Sequence, residues 1–327
     1  MTKHHTASLA ALVLLSGCIL YAPVDLGSLG SAGELEESVV LGSAGPKIAL
    51  IEVTGVISDE ESRGRLAIAE RPSMVVETRN ALDRAARDPD VAGILLRINT
   101  PGGSVSASDT IHHEIEVWKA EQKRPVVAYL NGMATSGGFY VAMASDRVIA
   151  HPAAVTGSIG VVMPGLSIEG LMQKYGVVDQ TLTSGPFKDA GSLLRDMTPG
   201  ERTQLSSVIH DLFVRFQDVV AKGRPALTRE KVAALSDGRV YSAQQALDAG
   251  LVDQLGYLED AVAELEERAG IPESRVVIYH RANQTRENIY SRTPSIAVQV
   301  TDVNLLPIRR SELSPGFYYL WPGALAP

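Results

Sequence analysis

Apolar and polar positions change period several times along the chain, and each change predicts an element. "KIALIEVTGVI", beginning at Lys47, is apolar and β-branched almost throughout, which reads as a buried strand. Residues 73–87 then take a helical period, opened by Ser73, with Val75, Leu82 and Ala86 on one face. "VAGILLRIN" (91–99) is a second buried strand. The glycine turn "TPGGS" leads into a helix that carries Ile111, Ile115 and Trp118. "PVVAYL" (125–130) predicts a third strand, Asn131-Gly132 a turn, and "GGFYVAMAS" a helix of small residues. "RVIAH" (147–151) and "SIGVVM" (158–163) predict further strands.

The second half is more helical. Thr198-Pro199-Gly200-Glu201 has the form of a capping box with proline at the first helical position. The helix it opens runs to about Lys222, with Leu205, Ile209, Leu212, Phe216 and Val219 inward. Ser242 and Gln245 form a second box, with Gly250 as the C-cap. Residues 257–269 make an amphipathic helix ending at Gly270, and "RVVIYH" (275–280) a strand. Continuous apolar strands alternating with helices predict an α/β fold, its parallel strands buried on both faces, with an adjoining helical region. No internal repeat is visible. The tail, 282–327, is rich in turn formers, ends in "PGFYYLWPG" and has no assignable pattern.

The N-terminus reads differently. Lys3 and two histidines precede an apolar run from Ala7 to Leu15, then Ser16 and Gly17, the layout of a secretory signal. The run is shorter than the roughly 20 residues a membrane span needs. "LSGC" resembles the lipobox of bacterial lipoproteins, and the chain's single cysteine, Cys18, falls at the position that is lipidated. The expected organisation is a signal peptide (1–17), a lipidated tether (18–46) with an extended piece at 35–41, one domain (47–281) and the tail. The body of the protein is then extracytoplasmic, at the periplasmic face of the inner or outer membrane. Absence of an aspartate after Cys18 favours the outer one.

Composition narrows the chemistry. The formal charge of −8, with no basic run, argues against a nucleic-acid partner. One cysteine excludes an intrachain disulfide and a cysteine-rich metal site, and "HHE" at 112–114 fits no metal motif. No metal and no cofactor are expected.

Ser136, in "NGMATSGGFYVAMASD", is the candidate nucleophile. It sits between a strand and a helix opened by Gly137 and Gly138, where free N–H groups and the positive helix end face one place. The N–H of Gly137 is a ready oxyanion donor, and the glycine turn at 101–103 offers a second. The alternative is an ordinary N-cap serine. The base is open at this point. His151, at a strand end, is the one serious histidine; His112 and His113 read as surface or helix-boundary residues. A lysine serves only where burial or nearby cations lower its pKa from about 10.4. Lys188, in the loop "TSGPFKDAGSLLRDMTPGE", is distinct from the helix-end and strand-start lysines.

Together "KIALIEVTGVI", "LLRINTPGGSVSAS", "VVAYLNGMATSGGFYVAMASDRVIAHPAAVTGSIGVV", "TSGPFKDAGSLLRDMTPGE" and "GRVYSAQQALDAGLVDQLG" resemble the signal peptide peptidase A family of serine–lysine peptidases, in the family's order over most of 47–260. The resemblance implies a Clp protease/crotonase-like fold and an endopeptidase acting on cleaved signal peptides or other apolar peptides. It places Ser136 on the nucleophile, Lys188 on the general base, Gly103 and the N–H of Gly137 on the oxyanion hole, and Ser158 on the hydroxyl that orients the lysine. It further implies a homo-oligomer whose sites are shared between protomers. His151 departs from the family pattern and keeps a Ser–His dyad open. A crotonase-type acyl-CoA enzyme would need carboxylates near the oxyanion hole, and "SGGFYVAMAS" offers none. A non-catalytic lipoprotein scaffold has no use for Ser136 and Lys188.

Overall fold

The computed structural model describes residues 35–60, 72–281, 288 and 316–325. Cys18, the signal and the first part of the tether lie outside the described residues.

Strands β1 (Glu36–Leu41) and β2 (Lys47–Thr54) are followed by helix α1 (Met74–Arg87), β3 (Val91–Thr100) and the short β4 (Gly102–Ser104). Next come α2 (Val105–Gln122), β5 (Val126–Thr135), α3 (Gly137–Ala142), β6 (Arg147–Ala150) and β7 (Val155–Gly157). The second half holds α4 (Glu169–Lys174), α5 (Pro199–Gly223), α6 (Arg229–Leu235), β8 (Val240–Ser242), α7 (Ala243–Asp248), β9 (Gln254–Leu255), α8 (Leu258–Ala269), β10 (Arg275–His280) and β11 (Tyr318–Leu320).

The central sheet runs β1-β10-β2-β3-β5-β6-β9, parallel from β10 to β9, with β1 antiparallel at the edge. Successive residues of a strand point to opposite faces, and here both faces are covered. Ala49, Ile51 and Val53 of β2 join a core with Leu82 of α1, Ile111 and Ile115 of α2 and Phe139 of α3. Ile48 and Leu50 join a second core with Leu258, Ala261 and Leu265 of α8. That is why these strands are apolar without alternation. Ile94, Leu95, Leu96 and Ile98 of β3 are fully buried, each contributing roughly 1.5–3 kcal/mol. This is the expected α/β architecture with a largely parallel sheet.

Several expectations shift. The extended piece at 35–41 is built into the sheet as β1 rather than lying free in a tether, because its backbone pairs with β10 from Glu36↔His280 to Leu41↔Val276. Asn131-Gly132 is a bulge inside β5 rather than its end: the register against β3 shifts between Ile98 and Thr100, and Asn99 Oδ1 accepts the N–H of Met133. The strand expected at 158–163 instead precedes that stretch as β7, and Val162 keeps only one bridge, to Tyr318. Both predicted capping boxes are present, at Thr198/Glu201 and Ser242/Gln245. On α5, Phe216 and Val220 are buried while Leu205, Ile209 and Leu212 are only half-covered.

His112 is no surface residue. It is buried, with its ring edge-on to Tyr140 at 5.3 Å between centroids. Burial lowers its pKa to about 4, against the opposing carboxylates of Glu116 and Asp109 and with help from Lys222 and Arg215. The unfolded chain therefore takes up a proton that the folded chain refuses between pH 6.5 and about 4. The neutral imidazole's contribution is complete above pH 6.5 and is lost as pH falls through that window. In His112→Phe, urea midpoints should fall less between these two pH values than in the wild type; parallel curves would show that His112 does not set this slope.

Candidate active site

The site is built where β5 changes neighbours. Up to Leu130 it pairs with β6; beyond the bulge it pairs with β7, Met133↔Val155 through Thr135↔Gly157. The next N–H continues the ladder, Ser136 N donating to Gly157 O at 2.7 Å. Ser136 and Ser158 therefore follow paired residues and come side by side. Both have positive φ, at 52° and 51°, which side chains other than glycine rarely adopt.

Ser136 is not a capping serine. Ser73, Ser104, Thr198, Thr228 and Ser242 all cap helices from extended backbone, each accepting an N–H from the first turn. Ser136 precedes α3 at φ 52°, ψ −111° and makes no capping bond. It is only 1% exposed, and its Oγ has no hydrogen-bond partner among the described residues. A strained, unpartnered hydroxyl at a strand-to-helix turn is how a nucleophile is presented rather than how a helix is capped.

Two N–H groups gather beside it. A Cβ added to Gly137 would lie 3.2 Å from the Gly103 nitrogen and 2.4 Å from Ser108 Oγ. A Cβ on Gly103 would meet the Ile57 carbonyl oxygen at 1.9 Å. Neither position has room for a side chain, so the backbone of both turns can approach one ligand atom. The structure thus brings together Ser136, Gly103, Gly137 and Ser158. Ser158 is buried, with its N–H on Arg239 O at 2.8 Å, and its hydroxyl makes no hydrogen bond among the described residues.

Lys188 is not brought to them within one chain. It lies exposed in the excursion between Gly165 and Pro199, with its ammonium free of hydrogen bonds and ion pairs among the described residues. Its neighbour is held firmly, though. Arg195 grips Asp189 with two bonds of 2.9 and 2.8 Å and also binds Glu201 at the start of α5. The guanidinium and the N–H of Thr198 hold the Glu201 carboxyl well below the usual range. This clamp was not anticipated from sequence, although the Thr198/Glu201 box was its visible half. The same excursion exposes Leu171, Tyr175, Val178, Leu182 and Phe187, with Leu182 at 97%.

His151 stands elsewhere. Its N–H donates to Leu130 O, six positions before Ser136 (136 − 130 = 6), or roughly 15–20 Å back along the strand at about 3.3 Å per residue. Its Nδ1 accepts the N–H of Ala153, and its ring meets Tyr257 edge-on. Among the described residues, no cluster of three or more His, Cys, Asp or Glu is arranged to hold a metal ion.

Known proteins are similar to this chain in sequence. Residues 119–272 match the model of peptidase family S49, and residues 75–156 that of Clp protease. A putative signal peptide peptidase SppA of Enterococcus faecium is 35% identical over 250 residues, covering 76% of this chain and 72% of that one. The chain belongs to peptidase family S49. A putative protease of Synechocystis sp. is 37% identical over 70% of this chain and 77% of its own. Protease 4 of Salmonella typhi is 33% identical over 72% of this chain, which spans 37% of that larger protein. As an S49 member the chain is a serine-type peptidase with a Clp protease-like α/β fold. The Clp match contains the two glycine turns and Ser136, so the family's shared core and the strained serine coincide.

Glycine adopts the mirror-image region that Ser136 occupies without penalty, while alanine does not. Ser136→Gly should therefore raise the urea midpoint by the equivalent of about 1 kcal/mol over Ser136→Ala. Equal midpoints would show that the turn carries no strain.

Proposed function

We propose that this S49 peptidase is a serine–lysine endopeptidase in which Ser136 attacks the scissile carbonyl and Lys188 takes its proton. Gly103 and Gly137 N–H groups receive the oxyanion, and the Ser158 hydroxyl, beside Ser136, turns the lysine's lone pair toward it. The observation that carries this reading is the strained, unpartnered Ser136 hydroxyl beside two side-chain-free N–H groups. The resemblance over "GPFKDAGS" and the clamp on Asp189 support Lys188 as the base.

The base reaches the nucleophile by assembly. The excursion that bears Lys188 exposes eight large apolar side chains among the described residues, and α5 leaves Leu205, Ile209 and Leu212 half-covered beside it. A surface of that kind is costly in water and marks an interaction site. Its occupant is a second copy of this chain, whose Ser136 receives the first copy's Lys188. Apolar side chains closing around an amine exclude water, and a dry amine is kept neutral more readily than a solvated one. The same closure strengthens the oxyanion hydrogen bonds.

The substrates are peptides with apolar side chains, cleaved signal peptides among them. The name of the Enterococcus faecium relative supports that class. Attachment through a lipid on Cys18 holds the enzyme at the membrane outside the cytoplasm, where such peptides are released. No helix among the described residues is long and apolar enough to cross a membrane.

Peptide hydrolysis across pH separates the possible bases. Activity should rise toward alkaline pH, vanish in Ser136→Ala and Lys188→Ala, and persist in His151→Ala. Full activity in Lys188→Ala with loss in His151→Ala contradicts the lysine base. Arg195 positions the loop without touching substrate. Arg195→Ala should lower kcat roughly tenfold to a hundredfold while KM holds, with partial recovery in Arg195→Lys. A rise in KM alone would place Arg195 in substrate binding instead.

A further inference from the structure

Thr100 closes β3 where the sheet meets both glycine turns. It pairs with Ala134 beyond the bulge of β5 and is fully buried. A buried hydroxyl needs partners, and this one finds two on a single residue. It accepts the N–H of Gly102 at 3.0 Å and donates to Gly102 O at 3.2 Å. One proton and two lone pairs allow both bonds. A threonine bonded to the N–H two residues on makes a local turn. Gly102 completes it at φ 102°, where a side chain would be strained. The Gly102 N–H is spent on this bond and cannot serve an oxyanion.

What the turn aims is the next N–H. The Gly102 carbonyl and the Gly103 N–H belong to one planar peptide and point in opposite directions. The carbonyl is held by Thr100 Oγ1 and, at 2.9 Å, by the N–H of Ile57. Two donors on the oxygen fix the plane and turn the Gly103 N–H away from Ile57. The Gly137 N–H is the other proposed donor, and it is near: a Cβ added to Gly102 would lie 2.8 Å from the Gly137 nitrogen. Thr100 meets that second turn as well, since a Cβ added to Gly138 would lie 2.5 Å from Thr100 Cγ2. One side chain thus touches the turns that carry both donors.

We propose that Thr100 is a positioning residue for the oxyanion hole. Its hydroxyl fixes the Gly102–Gly103 peptide so that the Gly103 N–H meets the charge developing on the scissile carbonyl oxygen. Its methyl group sets how closely the first turn of α3 approaches. The inference rests on the reading of Gly103 and Gly137 as oxyanion donors. Thr100 acts through the backbone, and its effect falls on the transition state, because the oxyanion forms only there.

Inhibition of the full chain by acetyl-Leu-Leu-leucinal and by acetyl-Leu-Leu-leucinol tests this. Both present the same side chains, but only the aldehyde adds Ser136 Oγ at its carbon and puts its oxygen where the oxyanion forms. Thr100→Val keeps the shape of the side chain and removes the hydroxyl. It should lower kcat on a peptide roughly tenfold to a hundredfold and weaken the aldehyde by a similar factor, while KM and the alcohol's affinity hold. Thr100→Ser, which restores the hydroxyl, should recover most of the loss. Thr100→Cys, with a weakly bonding thiol of like size, carries the same expectation as valine should that variant fail to fold. A merely structural role would lower the urea midpoint but leave the aldehyde-to-alcohol ratio of the folded enzyme at its wild-type value, and that result overturns the proposal. Equal weakening of aldehyde and alcohol also overturns it, by placing Thr100 in substrate binding. If the wild type itself binds the aldehyde no better than the alcohol, the oxyanion reading fails and this inference with it.

Discussion

One backbone constraint organises this site: β5 does not stop where its apolar run stops. The bulge at 131–133 lets it leave β6 and continue beside β7, so that Thr135 pairs with Gly157. From that pairing follow the hydrogen bond from Ser136 N to Gly157 O, the positive φ of both Ser136 and Ser158, and the exit of α3 with its first N–H groups beside Gly103. Strain of order 1–3 kcal/mol at such a residue persists only where its surroundings over-determine it. Here the β5–β7 ladder on one side and the close approach of the two glycine turns on the other do so.

The core and the site were unequally legible. Doubly buried strands announce themselves, because both faces of β2, β3 and β5 meet helices and leave no polar period. Caps were equally plain, since Thr198 with Glu201 and Ser242 with Gln245 act over three residues. The bulge at Asn131-Gly132 looked like a turn because the same residue types serve both. The strand β7 was misplaced by a few residues because Val155–Gly157 is too short to show a period. His112 looked like a surface residue because its burial depends on Tyr140 and α5, more than 25 positions away, and no local pattern encodes that. The tail was unreadable for the same reason. β11 is three residues long, and its partners lie at 102–104 and 162.

The candidate site divides along the same line. Ser136, Gly137 and Gly103 were found from turn chemistry, and the structure gathers them with Ser158. Ser158 came from resemblance alone, and Lys188, set apart from the other lysines by its loop, took its role from the resemblance, since a lone loop lysine has no local signature of a base. The single chain explains why. Lys188 sits on an arm whose large apolar side chains are left exposed by the described residues, and Arg195 ties that arm to α5 through Asp189 and Glu201. On the proposed reading, the information that places the base lies in how two copies meet.

The central claim is therefore that serine and lysine of one site come from two protomers. Its most direct test is complementation. Ser136→Ala and Lys188→Ala chains carrying different tags are co-expressed, and assemblies holding both tags are isolated and assayed on a peptide. The account predicts that each variant alone is inactive and that mixed assemblies regain activity, because some sites then unite an intact Ser136 with an intact Lys188. Mixed assemblies that remain as inactive as either parent would contradict it.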